Sequence, residues 1–187
     1  MFIEENNQAN TAYLQQLAHI SMSHAAKDLM SPDTKNESLV FKLLDNHCFS
    51  DAIMYLAHVL PFSKALIWAC ESVRANSNGQ ESEQEKYMLK VAENWLQHKN
   101  EVDRDQLLPN QAISISTATS WLAMAVYWAG GSIVANDVQP KAAPAGLVNS
   151  AIYSAVMLSI FNHSESERET LFKNTIQNAL DIDATQH

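Results

Sequence analysis

The chain is poor in glycine and proline, with four and five among 187 residues, and that scarcity argues against sheet, whose tight turns draw on both. The glycines at 79, 130, 131 and 146 are too few and too dispersed for a phosphate-cradling Walker loop or a dinucleotide fingerprint. Only two cysteines are present, Cys48 and Cys70. Both sit inside apolar helical patterns, far apart, without the paired spacing of a disulfide framework or a zinc site, and so read as buried thiols in a reducing compartment. Positive charge is scarce as well. Twelve Lys and Arg face 21 Asp and Glu, a net charge of −9 and a pI near 5.1. No basic cluster is denser than Lys86/Lys90 or Lys99/Arg104. A field of that sign repels phosphate backbones and anionic headgroups, so no nucleic-acid partner is expected.

Long apolar runs are missing too. The most membrane-like stretch, Ala145 to Phe161, is interrupted by Asn149, Ser150, Ser154 and Ser159, which makes it a core helix and argues against membrane insertion. The first residues, Met1-Phe2-Ile3-Glu4-Glu5, have neither the positive start nor the apolar run of a secretory signal, so cytoplasmic residence is the default expectation.

What the chain does have is helix-forming composition, 47% hydrophobic and rich in Leu, Ala, Met, Glu and Gln. Apolar spacing predicts an N-terminal amphipathic helix over about Gln8 to Met30, stopped by Ser31-Pro32-Asp33. Helices are predicted next over about 37–46, 51–59 and 64–75, with Thr34-x-x-Glu37 as a capping box and Ser50 and Ser63 as N-caps. Ser82-x-x-Glu85 opens another helix to about His98, and Ser164-x-x-Glu167 opens the last, with Asp181 to His187 expected to fray. The region 99–116 stays open between loop, short helix and extended piece. Between Ala118 and Ala129 only Thr119 and Ser120 are polar, the mark of a buried central helix, which Gly130-Gly131 ends through the left-handed conformation open to glycine. A proline-bearing connection over 133–144 leads to a second largely apolar helix, about 145–162. The expected fold is all-α, a single-domain globular helical bundle in which two buried central helices are wrapped by amphipathic ones. Residues 1–36 form an N-terminal helix and linker, and 37–187 the helical domain.

Chemistry-bearing patterns are weak. His24/Asp28 and His47/Asp51 share helix faces, but no third ligand converges, and solvated surface positions are the plainer reading; no metal and no cofactor is expected. Ser132 follows a helix where an activated serine of the Gly-x-Ser-x-Gly class follows a strand. The carboxylate pairs Asp181/Asp183 and Glu165/Glu167 lie at helix ends, where they meet the helix dipole or solvent. No catalytic residue is assigned. Trp68, Trp95, Trp121 and Trp128 all fall on apolar helical faces and read first as core. The functional alternative is a partner-binding groove built from Trp128, Gly130, Gly131, Ser132, Pro140 and Pro144.

Three runs, Asp51-Ala52-Ile53-Met54-Tyr55-Leu56-Ala57-His58-Val59-Leu60-Pro61, Lys64-Ala65-Leu66-Ile67-Trp68-Ala69-Cys70 and Trp121-Leu122-Ala123-Met124-Ala125-Val126-Tyr127-Trp128-Ala129-Gly130-Gly131-Ser132, resemble an uncharacterised family of bacterial all-helical proteins. The order and spacing match over about residues 37–187. Ile67 stands where that pattern has a tryptophan, Ala129 where it has serine, and the connection after Ser132 holds fewer prolines. The resemblance implies no named activity and an association with gene neighbourhoods of bacterial type VI secretion. The resulting expectation is a non-enzymatic cytoplasmic protein-binding accessory, adaptor or chaperone, whose partner is a secretion-system component or effector. Alternatives are a small-ligand-binding or enzymatic helical domain with a pocket near Trp128 and Ser132, and an oligomeric scaffold of identical copies.

Overall fold

A computed structural model describes residues 20–30, 36–107, 116–130, 143–144 and 146–185. Among them lie nine helices and no strand: α1 His24–Asp28, α2 Asn36–Asp45, α3 Phe49–Val59, α4 Phe62–Ala75, α5 Glu83–His98, α6 Glu101–Gln106, α7 Ala118–Ala129, α8 Leu147–Phe161 and α9 Glu165–Ala184. The expected all-α single-domain fold is what forms, and no helix among the described residues is long and apolar enough to cross a membrane.

The two largely apolar segments occupy the middle because neither carries a charged residue that must stay in water. The pair α7 and α8 is the most extensive helix contact among the described residues, and α8 also packs on α3, α4 and α9. Leu122, Ala123, Ala125 and Val126 of α7 and Ala151, Ile152, Ala155 and Val156 of α8 are buried. Alanines at 151 and 155 keep the α8 surface low, so neighbouring backbones approach closely. The fold adds a third central member: α4 buries Ala65, Leu66, Trp68, Ala69, Cys70, Ser72 and Val73. Trp68 is fully enclosed and its Nε1 donates to the Thr175 carbonyl of α9 at 2.9 Å, which satisfies the indole's one polar group.

Several local expectations are corrected. The N-terminal helix does not run unbroken to Met30: residues 21–23 are non-helical, and α1 begins at His24 with Ser23 as its N-cap. Ser23 is tied down, since Asp51 accepts from both its backbone N (2.7 Å) and its Oγ (2.9 Å). This leaves Ile20, Met22 and Ala26 in the same buried core as the later helices. Helix α3 starts two residues earlier than Ser50 would place it, with Cys48 at the N-cap, and Ser50 instead shares a 2.9 Å hydrogen bond with the Tyr153 hydroxyl. Pro61, not Ser63, precedes α4, because proline's fixed φ suits a helix entry and its missing N–H is not needed there. The C-terminal helix holds to Ala184 instead of fraying at Asp181, anchored by Lys64, whose Nζ reaches the Asp183 carbonyl (2.6 Å) and carboxylate (3.0 Å). Both capping boxes, Ser82/Glu85 and Ser164/Glu167, form as expected. The helix predicted over residues 8–19, Thr34 and the connection 131–142 lie outside the described residues.

Gly146, at φ +79, precedes α8 in a backbone conformation that a side chain would strain. Gly130 is different. It closes α7 at φ −76, not in the left-handed region the sequence led us to expect.

Candidate functional site

The two ends of the α7/α8 pair carry the polar chemistry. At the first end, where α7 stops, Trp128 is half-buried and packed on the core, and Gly130 follows one residue past the helix. Arg104 of α6 reaches over to it: Nη1 donates to the Gly130 carbonyl at 2.7 Å, and the guanidinium lies 5.4 Å from the centre of the Tyr127 ring. Glu101 pairs with Arg104 Nε at 3.0 Å, and Arg104 is only 15% exposed. A carbonyl at a helix C-terminus lacks an intrahelical donor and sits at the negative end of the dipole, so an arginine there satisfies both deficits. Burial lifts the Tyr127 phenol above its ordinary range, and the Arg104 charge offsets part of that rise. Pro144 is exposed, and its carbonyl accepts from the Leu147 N–H at the start of α8. Gly131, Ser132 and Pro140 lie outside the described residues. Of the six residues singled out for partner binding, Trp128 and Gly130 are thus adjacent at one helix end. Arg104, the group that organises that end, stood in the region the sequence left open.

The second end is a cleft that sequence reasoning missed. It lies where the α4–α5 turn meets the start of α7 and the end of α8, with an inner volume of about 90 Å³ and a shallower continuation of about 220 Å³ over Asn78 and Gln80. Asn76, Thr119 and Ser159 contribute to the wall, and Glu81, Glu85 and Asn162 line both parts. Asn76 is 7% exposed, and its Nδ2 donates to Ser159 Oγ (3.0 Å) and Thr175 Oγ1 (3.3 Å). His163 Nε2 donates to the Asn76 carbonyl at 2.7 Å, which places the imidazole proton on Nε2, because a carbonyl only accepts. Around Glu81, burial raises the carboxyl pKa, but hydrogen bonds from Ser77 and from the backbone of residues 78, 79 and 81 outweigh it and leave it below the usual range. The available signal was Asn76-Ser77-Asn78-Gly79-Gln80, which reads as a chain break; nothing in the local pattern tells that Asn76 turns inward.

A third feature crosses the surface between α3, α8 and α9. Phe49 stacks on Phe172 at 5.5 Å and 11°, Phe161 meets Phe172 edge-on at 6.2 Å, and His47 meets Phe49 edge-on at 5.5 Å. The Arg168 guanidinium caps the row, 4.8 Å from the Phe161 centroid. Arg168 is held there by the carbonyls of His163 (3.0 Å to Nε) and Phe161 (3.1 Å to Nη2). Phe161 is 46% exposed while Phe172 is buried, so the row leads from the core to solvent.

His47, at φ +55, precedes α3, so it and Asp51 share no helix face. Asp51 is engaged by Ser23, and His58 Nδ1 donates to the Met54 carbonyl at 2.9 Å. No three His, Cys, Asp or Glu side chains converge as metal ligands among the described residues. Burial pushes the Cys70 thiol far above its ordinary value, and burial with the Asp51 charge raises Cys48; neither environment makes a reactive thiolate.

The profile of a family of unknown function (DUF6931) matches residues 39–183. No curated protein and no solved structure matches the chain.

Proposed function

Because the chain belongs to that family, whose activity is not given by membership, we propose its role from its geometry: a non-enzymatic, cytoplasmic protein-binding accessory, adaptor or chaperone. The observation that carries this reading is the aromatic row ending at Phe161 and Arg168. Large apolar side chains cost free energy in water, and aromatics with an ordered arginine are the composition of interface centres. Here the ring stack is fixed before any partner arrives, which lowers the entropy lost on association. The acidic surface favours basic or neutral proteins over nucleic acid. The resemblance read in Asp51–Pro61 and Trp121–Ser132 supports placing the adaptor beside bacterial type VI secretion.

The test is affinity recovery of the tagged full chain at its native level from its own bacterium, alongside a Phe161→Ser variant. Phe161 is nearly half exposed, so the substitution leaves the core intact. A specific protein partner recovered with the parent chain and depleted at least tenfold by the variant is the expected result. Recovery of no specific protein, or equal recovery by both chains, sinks the reading.

A further inference from the structure

Asparagine followed by glycine occurs once in the chain, at Asn78-Gly79 in the turn between α4 and α5. In such a pair the backbone nitrogen of the second residue can attack the side-chain amide of the first, and glycine has no side chain to obstruct the approach. The fold leaves that approach open. Asn78 and Gly79 are both exposed, Gly79 holds φ +78, and no atom lies within 4 Å of the position a Cβ would take there. Both reacting groups are hydrogen-bonded in the sense that favours reaction. The Gln80 N–H donates to Asn78 Oδ1 at 3.0 Å, which polarises the amide carbonyl and is already aimed at the oxygen that gains negative charge when Cγ becomes tetrahedral. From the other side the Glu81 carboxylate accepts from the Asn78 N–H at 3.0 Å and from the Gly79 N–H. That second bond lies in the peptide plane, so the nitrogen lone pair, perpendicular to the plane, stays free and gains electron density. The leaving amide is held loosely. Asn78 Nδ2 donates to the Asn162 carbonyl at 3.4 Å, against 2.8 Å for the Nδ2 bond of Asn46, 2.7 Å for Asn149 and 3.0 Å for Asn178. Asn76 in the same turn is the opposite case, 7% exposed with its amide nitrogen on the hydroxyls of Ser159 and Thr175.

We infer that Asn78 is a site of self-catalysed deamidation in the folded protein. The Gly79 nitrogen bonds to Asn78 Cγ and gives up its proton, Nδ2 gains a proton and leaves as ammonia, and the resulting five-membered succinimide is opened by one water molecule from solvent. Opening at Cγ gives aspartate at position 78; opening at the main-chain carbonyl gives isoaspartate, with the backbone rerouted through Cβ. No oxidant, reductant or enzyme is required, because nucleophile and electrophile belong to adjacent residues already held together. Either product alters the cleft. A carboxylate at 78 puts an acceptor where a donor faces the Asn162 carbonyl, and it joins Glu81 and Glu85 along the outer part of the cleft. Isoaspartate also adds one methylene to the main chain between α4 and α5. The inference does not depend on the protein-binding reading.

The experiment incubates the full chain at neutral pH, native or unfolded in guanidinium chloride, and follows each asparagine by timed peptide mapping and mass spectrometry. In the native chain Asn78 is expected to convert at no less than a third of its unfolded rate, while Asn76 converts at least tenfold more slowly than when unfolded. No conversion at Asn78, or protection as strong as that of Asn76, overturns the inference. Glu81→Gln keeps an acceptor oxygen but removes the charge. It should slow Asn78 conversion at least threefold in the native chain and leave the unfolded rate unchanged, and equal native rates overturn the assisted reaction. The comparison of native with unfolded parent chain holds whether or not that variant folds.

Discussion

Replacing Gly130 by alanine should destabilise the protein only while Arg104 is present. A Cβ on Gly130 would lie 2.9 Å from Arg104 Nη1 and closer still to Cδ, so the arginine must leave. With it goes a charged hydrogen bond to the Gly130 carbonyl, worth about 1.5–3 kcal/mol, and the approach to the Tyr127 ring, worth about 0.5–1 kcal/mol. The Glu101 pair adds little, because Glu101 is 61% exposed. Against this loss, alanine at a compatible φ reduces unfolded-state entropy and returns roughly 0.4–1 kcal/mol; φ −76 at Gly130 is compatible. Gly130→Ala alone should therefore cost about 1–3.5 kcal/mol, and Arg104→Ala about 2–4 kcal/mol, summing terms of the same kind. In the Arg104→Ala background the clash is gone, and Gly130→Ala should be neutral or stabilising. The coupling should be about 2–4 kcal/mol, toward the upper end of what contacting residues show. Urea unfolding of the four proteins, followed by helical circular dichroism, reads the cycle directly. If Gly130→Ala costs the same with Arg or Ala at 104, the arginine does not lie against Gly130. A requirement for left-handed backbone at that position would then be the better explanation.

Other outcomes follow from the same coordinates. Trp68→Phe should cost about 1–3 kcal/mol, since it strips the donor from the buried Thr175 carbonyl as well as removing indole volume; chemical denaturation measures it, and a loss under about 0.5 kcal/mol would refute the bond's role. Asn76→Ala should destabilise by about 1–3 kcal/mol through the hydroxyls of Ser159 and Thr175, with Ser159→Ala partly non-additive to it; full additivity would deny the network. In native conditions Cys70 should not react with a thiol reagent, and Cys48 should react more slowly than a free thiol, because burial disfavours both thiolates; mass spectrometry after timed labelling decides, and fast labelling of Cys70 contradicts its burial. Glu167 is held below the ordinary glutamate range first by the Ser164 hydroxyl and then by its backbone N–H. A depressed carboxylate stabilises the fold above its unfolded pKa of about 4.3 and loses that contribution as pH falls through the lower folded value. Side-chain NMR titration should show Ser164→Ala raising the Glu167 pKa, and no change would remove the cap from the account.

Where burial alone decides structure, the sequence was informative. The runs 118–129 and 147–161 carry no charged residue, and they became the centre of the bundle. The boxes at Ser82 and Ser164 formed because both partners lie three residues apart in one chain segment, so no tertiary knowledge was needed. Helix ends set by distant partners were not legible. Asp183 stays helical because Lys64 comes to it from α4, and α1 starts late because Asp51 captures Ser23. In each case the deciding contact joins residues well separated in sequence, which periodicity cannot register.

The same distinction explains why the candidate sites were only half visible. Trp128 and Gly130 drew notice as a tryptophan and a glycine at a helix end, but the reason glycine is needed there is a side chain from α6, 26 residues upstream. Arg104 looked like one more surface charge among Glu101, Asp103 and Asp105, and its 15% exposure arises only when α6 folds against α7. Asn76 carries the stronger lesson. In an Asn-Ser-Asn-Gly run, solvent is the ordinary partner of every side chain, yet one of the two asparagines there is enclosed against α8 and α9. A polar residue in a turn becomes informative only when the fold withdraws it from water, because its hydrogen bonds must then be met by particular groups, here the hydroxyls of Ser159 and Thr175.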